Sequence, residues 1–173
     1  MDEDVVGALR LRAVEPGDID FIFEMENRGF SEGWTDRCAP VSRHSIETYV
    51  LACDPDPFSC GQLRLVCTTS GGTPIALLDF YDISARHRHA KVGIMVADGE
   101  RGKGYGRRLL KCASAFASGR LGLAGLVAMI AEENSISRRL FESAGYELCG
   151  RLEKWWHTPA GVSDCLLFQK LLP

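Results

Sequence analysis

The chain has 173 residues, 46% of them apolar and 25% charged. That is one domain's worth of sequence, long enough to bury roughly 70% of its unfolded surface without staples. Its 20 Lys and Arg against 23 Asp and Glu leave a formal charge of −3, which excludes the basic excess of a nucleic-acid binder.

No apolar run reaches the ~20 residues of a membrane span. The opening Met1-Asp2-Glu3-Asp4 carries the wrong charge for a secretory signal. The chain therefore reads as cytoplasmic, with neither a membrane nor a nucleic acid as partner. Seven cysteines (38, 53, 60, 67, 112, 149 and 165) include no C-x-x-C pair and read as small apolar residues in a reducing compartment. His87-Arg88-His89 fits alternation at a strand end, so no metal site is expected.

Residues 1–7 read as a loose tail on a single domain spanning 1–173. Leu9 to Ala13 alternates apolar and charged residues, as a strand does. Pro16-Gly17-Asp18 opens a helix with Ile19, Ile22 and Phe23 on one face. Residues 28–42 read as irregular. A second helix from Ser42 to Cys53 ends at Asp54-Pro55-Asp56-Pro57, where proline removes a helical N–H.

Three strands are expected next: Gln62 to Thr68, then a turn at Ser70-Gly71-Gly72-Thr73, Pro74 to Asp82, and Lys91 to Ala97. A glycine-rich segment leads into a helix ending near Ser118, whose apolar face is Leu109, Leu110, Ala113, Phe116 and Ala117. Leu123 to Ala131 is almost wholly apolar and reads as a strand covered on both faces. Asn134 caps a helix that Gly145 stops. Two strands close the chain, Tyr146–Trp156 and Val162–Leu172, and the paired Trp155 and Trp156 must face opposite ways. The order β-α-α-β-β-β-α-β-α-β-β predicts an α/β fold, a mixed sheet with helices on its faces.

The most specific segment is Arg101-Gly102-Lys103-Gly104-Tyr105-Gly106, between a strand and a helix. Glycines let the backbone curl until several N–H groups converge, and the helix start adds its positive dipole end, which makes an anion cradle suited to phosphate. A P-loop needs G-x-x-x-x-G-K-[S/T] and a Rossmann turn needs G-x-G-x-x-G; both spacings fail here.

Arg101-x-x-Gly104-x-Gly106 resembles the acetyl-CoA pyrophosphate loop of the GNAT N-acetyltransferase superfamily. Asn134-Ser135-Ile136-Ser137-Arg138-Arg139-Leu140-Phe141, continuing to Gly145-Tyr146, resembles the same superfamily's second signature, and the element order matches end to end. Glu147 to Leu152, the Trp pair and His87 to Ala90 resemble the branch of ribosomal-protein N-terminal and spermidine acetyltransferases. The resemblance implies the acyl-CoA N-acyltransferase fold, with a mixed, mostly antiparallel central sheet and helices on both faces. It also implies transfer of acetyl from acetyl-CoA to a primary amine: a polyamine, a small amine or a protein N-terminus. The alternative is a catalytically silent acyl-CoA-binding module of the same fold. The resemblance leaves room for a homo-oligomer.

By the same resemblance, acetyl-CoA is held by Ile94, Met95 and Val96, by Arg101, Gly102, Lys103, Gly104, Tyr105 and Gly106, and by Asn134, Ser137 and Phe141. The oxyanion donor is a backbone N–H near Met95 or Val96, and Met95 is taken for it. The superfamily often places a tyrosine acid where this chain has Phe141, so the usual acid is absent. Asp79, a carboxylate in an apolar strand, is the candidate base or substrate ligand. Glu32, Trp34, Asp79 and Asp82 are the candidate acceptor site, since carboxylates beside aromatic rings suit an aliphatic cation.

Overall fold

The computed structural model describes residues 5–6, 9–33, 39–52, 56–158 and 161–173. Eight strands form one sheet: β1 (Val5–Val6), β2 (Leu9–Ala13), β3 (Gln62–Thr69), β4 (Pro74–Ser84), β5 (His89–Val96), β6 (Gly125–Ala131), β7 (Glu147–Thr158) and β8 (Gly161–Leu171). Their order across the sheet is β1-β2-β3-β4-β5-β6-β8-β7. Only β5 and β6 run parallel; every other neighbouring pair is antiparallel.

The helices are α1 (Ile19–Glu32), α2 (Arg43–Leu51), α3 (Pro57–Cys60), α4 (Tyr105–Gly119) and α5 (Ser135–Ser143). Alternation along the strands sends side chains to two cores. On one face Leu78, Phe80, Val92, Leu126, Ala128 and Ile130 pack with Leu109, Leu110 and Ala113 of α4 and Phe141 of α5. On the other, Val66 and Leu77 meet Ile22 and Met25 of α1 and Ile46 and Val50 of α2. Helices thus cover both faces of a mostly antiparallel mixed sheet, as expected.

Several boundaries differ from the sequence reading. Val5–Val6 of the expected loose tail pairs with Leu9 and Arg10. Residues 28–32, read as irregular, continue α1 until Gly33 turns the chain at φ 72°. Asp56 and Pro57 do not merely end a helix. The Asp56 side chain accepts from the Phe58 amide, and Pro57 begins the short α3. β6 is buried along most of its length, as expected, except at the half-buried Val127 and Met129, of which Met129 borders a cavity.

Candidate active site

The pairing of β5 with β6 covers only His89↔Gly125, Ala90↔Leu126 and Lys91↔Val127. Beyond those residues the two strands part, and the gap is the centre of a cavity of about 1350 Å³. Val92 to Val96 line one side of the gap, and Ala128 to Ala131 the other. The cavity joins the two faces of the sheet. Gly104, Asn134, Ser137 and Phe141 border it on the α4/α5 side, and Glu26, Tyr49, Arg64, Asp79 and Tyr81 on the α1/α2 side.

The glycine loop caps the α4/α5 end. Gly102 and Gly104 adopt φ of 76° and 79°, a left-handed conformation in which a side chain is strained. Gly104 is the N-cap of α4, so the first α4 amides open toward the loop. Gly106 is small for another reason: a Cβ there would stand 3.0 Å from Leu140 Cδ2 of α5. Asn134 caps α5 by accepting from the Ser137 amide. Cations gather round the loop. Arg101 and Arg107 line the cavity, Lys103 pairs with Glu100, and Arg108 lies 4.9 Å from the Tyr105 ring centre. Lys103 and Tyr105 themselves do not line the cavity.

Backbone direction in β5 corrects one expectation. The Ala97 amide donates to Ile75 O of β4, whereas Val96 O points away from β4 and accepts from Arg28 Nη2 at 2.9 Å. Peptide groups alternate along an antiparallel strand. The Met95 amide therefore faces β4, while the amides of Ile94 and Val96 face the gap. Of Met95 and Val96, the two residues expected near the oxyanion, only Val96 turns its amide toward the gap. The Met95 side chain packs in the core beneath α1 and α2.

Asp79, the candidate base or substrate ligand, is paired. Its two oxygens accept from Arg64 Nε at 2.6 Å and Nη2 at 3.0 Å, and Arg64 Nη1 reaches Glu26 Oε1 at 2.5 Å. The Arg64 guanidinium lies 5.6 Å from the Tyr49 ring centre. Burial alone would lower the Arg64 pKa, but Asp79 and then Glu26 reverse this and hold the guanidinium firmly charged. Two carboxylates around one cation leave the cluster one negative charge. Asp79 lines the cavity as part of this cluster. Asp82 does not line it: the side chain is exposed and paired with Lys91 at 2.8 Å. Trp34 and the Glu32 side chain lie outside the described residues.

Sequence reading missed Arg28, Tyr49, Arg64 and Arg107. Arg64 carried the one available signal, an arginine in an apolar strand with Asp79 across the hairpin. Phe141 is buried and meets Tyr146 edge-on at 5.0 Å. Burial pushes the Tyr146 phenol well above its usual range, and Tyr146 does not line the cavity. Of the Trp pair, Trp156 lines the cavity and Trp155 is exposed. Among the described residues no group of three His, Cys, Asp or Glu is placed to hold a metal.

The profile of the acetyltransferase (GNAT) domain matches residues 8–147. The chain belongs to the GNAT acetyltransferase family. It is similar to spermidine N(1)-acetyltransferase of Vibrio cholerae serotype O1, 28% identical over 145 residues, covering 83% of this chain and 82% of that one. Among solved structures it is similar to spermidine N-acetyltransferase from Vibrio cholerae in complex with CoA and spermine, at 26% identity and a TM-score of 0.85 over 96% of both chains. A chimera of the Vibrio cholerae enzyme and hSSAT matches at 25% identity and a TM-score of 0.83, over 95% of this chain and 96% of that one. The chain is an acetyl-CoA-dependent N-acetyltransferase. The curled glycine loop at the α4 N-terminus, ringed by arginines, fits the diphosphate of that co-substrate.

Proposed function

We propose that this enzyme acetylates a cationic primary amine of the polyamine class. The amine enters from the α1/α2 face of the sheet and meets acetyl-CoA bound from the α4/α5 face. The observation that carries this reading is the gap between β5 and β6. It connects the glycine loop to a pocket where Glu26 and Asp79 share Arg64 beside Tyr49 and Tyr81, while the other cation on that side, Arg28, is neutralised by its own partner Asp98. A surplus negative charge beside aromatic rings favours an aliphatic ammonium. The named relative acts on spermidine, and the solved neighbour holds spermine, which supports the same class.

In this reading Arg101, Gly102, Gly104 and Gly106 hold the diphosphate, and Asn134, Ser137 and Phe141 flank the pantetheine arm. The neutral amine attacks the thioester carbonyl, whose developing oxyanion takes hydrogen bonds from the Ile94 and Val96 amides. The C–S bond then breaks, CoA leaves as thiolate, and the amine nitrogen gives up its proton to solvent. Asp79 acts here through charge rather than as a base, because Arg64 occupies both of its oxygens.

The enzyme works as one domain, since β7 and β8 complete the sheet beyond the matched residues. A cytoplasmic setting suits the five thiols among the described residues, Cys60, Cys67, Cys112, Cys149 and Cys165. Exposed Leu148, Trp155 and Val162 along the β7–β8 edge favour a homo-oligomer, which sedimentation would reveal.

Thiol release from acetyl-CoA, measured across polyamines, free amino acids and ribosomal N-terminal peptides, tests the reading. Polyamines should give the highest kcat/KM. Turnover confined to peptides would overturn the acceptor class.

A further inference from the structure

The β7–β8 ladder is interrupted once near the cavity. Leu152 pairs with Cys165 and Trp156 with Ser163, so Glu153, Lys154 and Trp155 all stand opposite the single residue Asp164. Such a bulge re-aims the strand that carries it. Its middle residue, Lys154, sits at φ 52°, an unusual conformation for lysine.

One carboxylate spans the defect. Asp164 Oδ1 accepts from the Lys154 amide at 2.7 Å, and Oδ2 accepts from Arg151 Nε at 2.5 Å. Arg151 in turn donates to both oxygens of Glu132 at 3.0 and 3.2 Å, just beyond β6. The Asp164 carbonyl accepts from the Glu132 amide at 3.0 Å, so this residue ties β7 to the end of β6 twice. The carboxylate is held ionised below its usual range, first by the Lys154 amide and then by Arg151.

Trp156 is the first residue after the bulge. Cross-strand partners share a face. Trp156 therefore follows Ser163 and Cys165 onto the α1/α2 face, which is also the face of Arg64, Asp79 and Tyr81, and it lines the cavity there. A regular ladder would put Lys154 opposite Ser163 instead.

We propose that Asp164 is a positioning residue that holds the β7 bulge so that Trp156 forms a wall of the acceptor end of the cavity. This rests on the reading that the α1/α2 end receives the amine. The indole offers its face to the methylene chain of the cation, and its neighbour Trp155 is left outside.

The test uses Asp164→Ala, the conservative Asp164→Asn and Asp164→Ala combined with Lys154→Gly, in which glycine tolerates the bulge conformation without the clamp. Circular dichroism and thermal melts confirm folding. Fluorine NMR of fluorotryptophan-labelled enzyme, with Trp156 assigned by Trp156→Phe, reports the indole's surroundings directly. Spermidine is the probe amine.

Asp164→Ala should shift the Trp156 resonance toward a solvent-exposed value. It should also raise the spermidine KM at least fivefold, with kcat and the acetyl-CoA KM within twofold. Asp164→Asn, which keeps an oxygen acceptor, and the Lys154→Gly combination should each recover at least half of both changes. An unmoved Trp156 resonance in folded Asp164→Ala overturns the clamp. A moved resonance with an unchanged spermidine KM, in that variant and in Trp156→Ala alike, overturns the acceptor-end reading on which the proposal rests.

Discussion

Arg64 and Asp79 are registered partners across the β3–β4 pair, with Arg64 Nε 2.6 Å from Asp79 Oδ1. The same guanidinium reaches Glu26 on α1, so one cation joins two strands of the sheet to the helix that covers them. Its pieces are not equivalent: Glu26 is closed to water, 3% exposed, whereas the Asp79 side chain keeps 23% of its surface open to the cavity. Removing Arg64 would strand the buried Glu26 carboxylate, a change worth about 3–5 kcal/mol. Replacing Asp79 by its amide keeps the shape and removes only the surplus charge.

Asp79→Asn should therefore weaken the amine and spare the cofactor. Loss of one negative charge near an ammonium at an effective dielectric of ~20 is worth about 1–2 kcal/mol. A five- to tenfold rise in KM for a cationic amine follows, with the acetyl-CoA KM within twofold. Added salt should raise the amine KM of the parent and affect the variant less. Initial rates at several chloride concentrations measure both effects. Salt-insensitive amine kinetics in both proteins would defeat the cationic-acceptor reading and leave the acetyltransferase activity standing.

The loop glycines separate into two experiments. Gly104→Val places a β-branched side chain at φ 79° with no protein atom within 4 Å, so its structural cost is the left-handed conformation, about 1–2 kcal/mol. The valine also stands where the diphosphate must approach, and titration calorimetry should show acetyl-CoA binding at least tenfold weaker. Unchanged affinity in the folded variant would refute the cradle. Gly106→Val instead drives into Leu140, and its effect is on stability. Overpacking of this kind costs about 1–3 kcal/mol. Leu140→Ala in the same chain should restore part of the lost Tm.

Much of the architecture was legible because the signals are local. Strand β5 alternates cleanly, Gly104 and Gly106 mark the turn into α4, and Asn134 with Gly145 bounds α5. The misreadings have physical causes. Gly29 and Gly33 together resemble a loop, yet only Gly33 has the left-handed φ that ends α1. Arg64 and Asp79 meet through the β3–β4 register, but Glu26 lies far off in the chain, and only the packing of α1 on the sheet brings it to them. The oxyanion donor turns on which amides β4 has already taken. That is a matter of register, and Met95 and Val96 look alike without it.

Asp18 gives a pH signature. Its oxygens accept from Arg12 at 2.6 and 2.7 Å and from the Glu15 amide at 2.9 Å, and its side chain is almost wholly buried. Burial alone would raise the Asp18 pKa, but the Arg12 and Glu15 hydrogen bonds more than reverse it. A folded-state pKa below the unfolded value of ~3.9 stabilises the fold above that pH, and the gain is lost as pH falls through the folded value. Denaturant midpoints should fall from pH 5 toward pH 2. Asp18→Asn should be less stable by about 2 kcal/mol at pH 7 and show a flatter acid limb. An identical acid limb in parent and variant would assign it to other carboxylates.

Phe141 poses the sharpest chemical question. It lines the cavity from α5, one turn beyond Ser137, where related enzymes often carry a tyrosine acid. A thiolate with a reference thiol pKa near 8.5 is a fair leaving group, so transfer proceeds without that acid, at the cost of rate when protonation is slow. The ring is anchored by Tyr146, whose centre stands 5.0 Å away at an interplanar angle of 78°. Phe141→Tyr should raise kcat by threefold or more below pH 8, where thiolate expulsion is least favourable. The gain should shrink at higher pH, and the KM for acetyl-CoA should stay within twofold. A pH profile of kcat for both proteins decides the matter. Equal or lower kcat in the tyrosine variant across the range would mean that water already protonates sulfur, or that another step limits turnover.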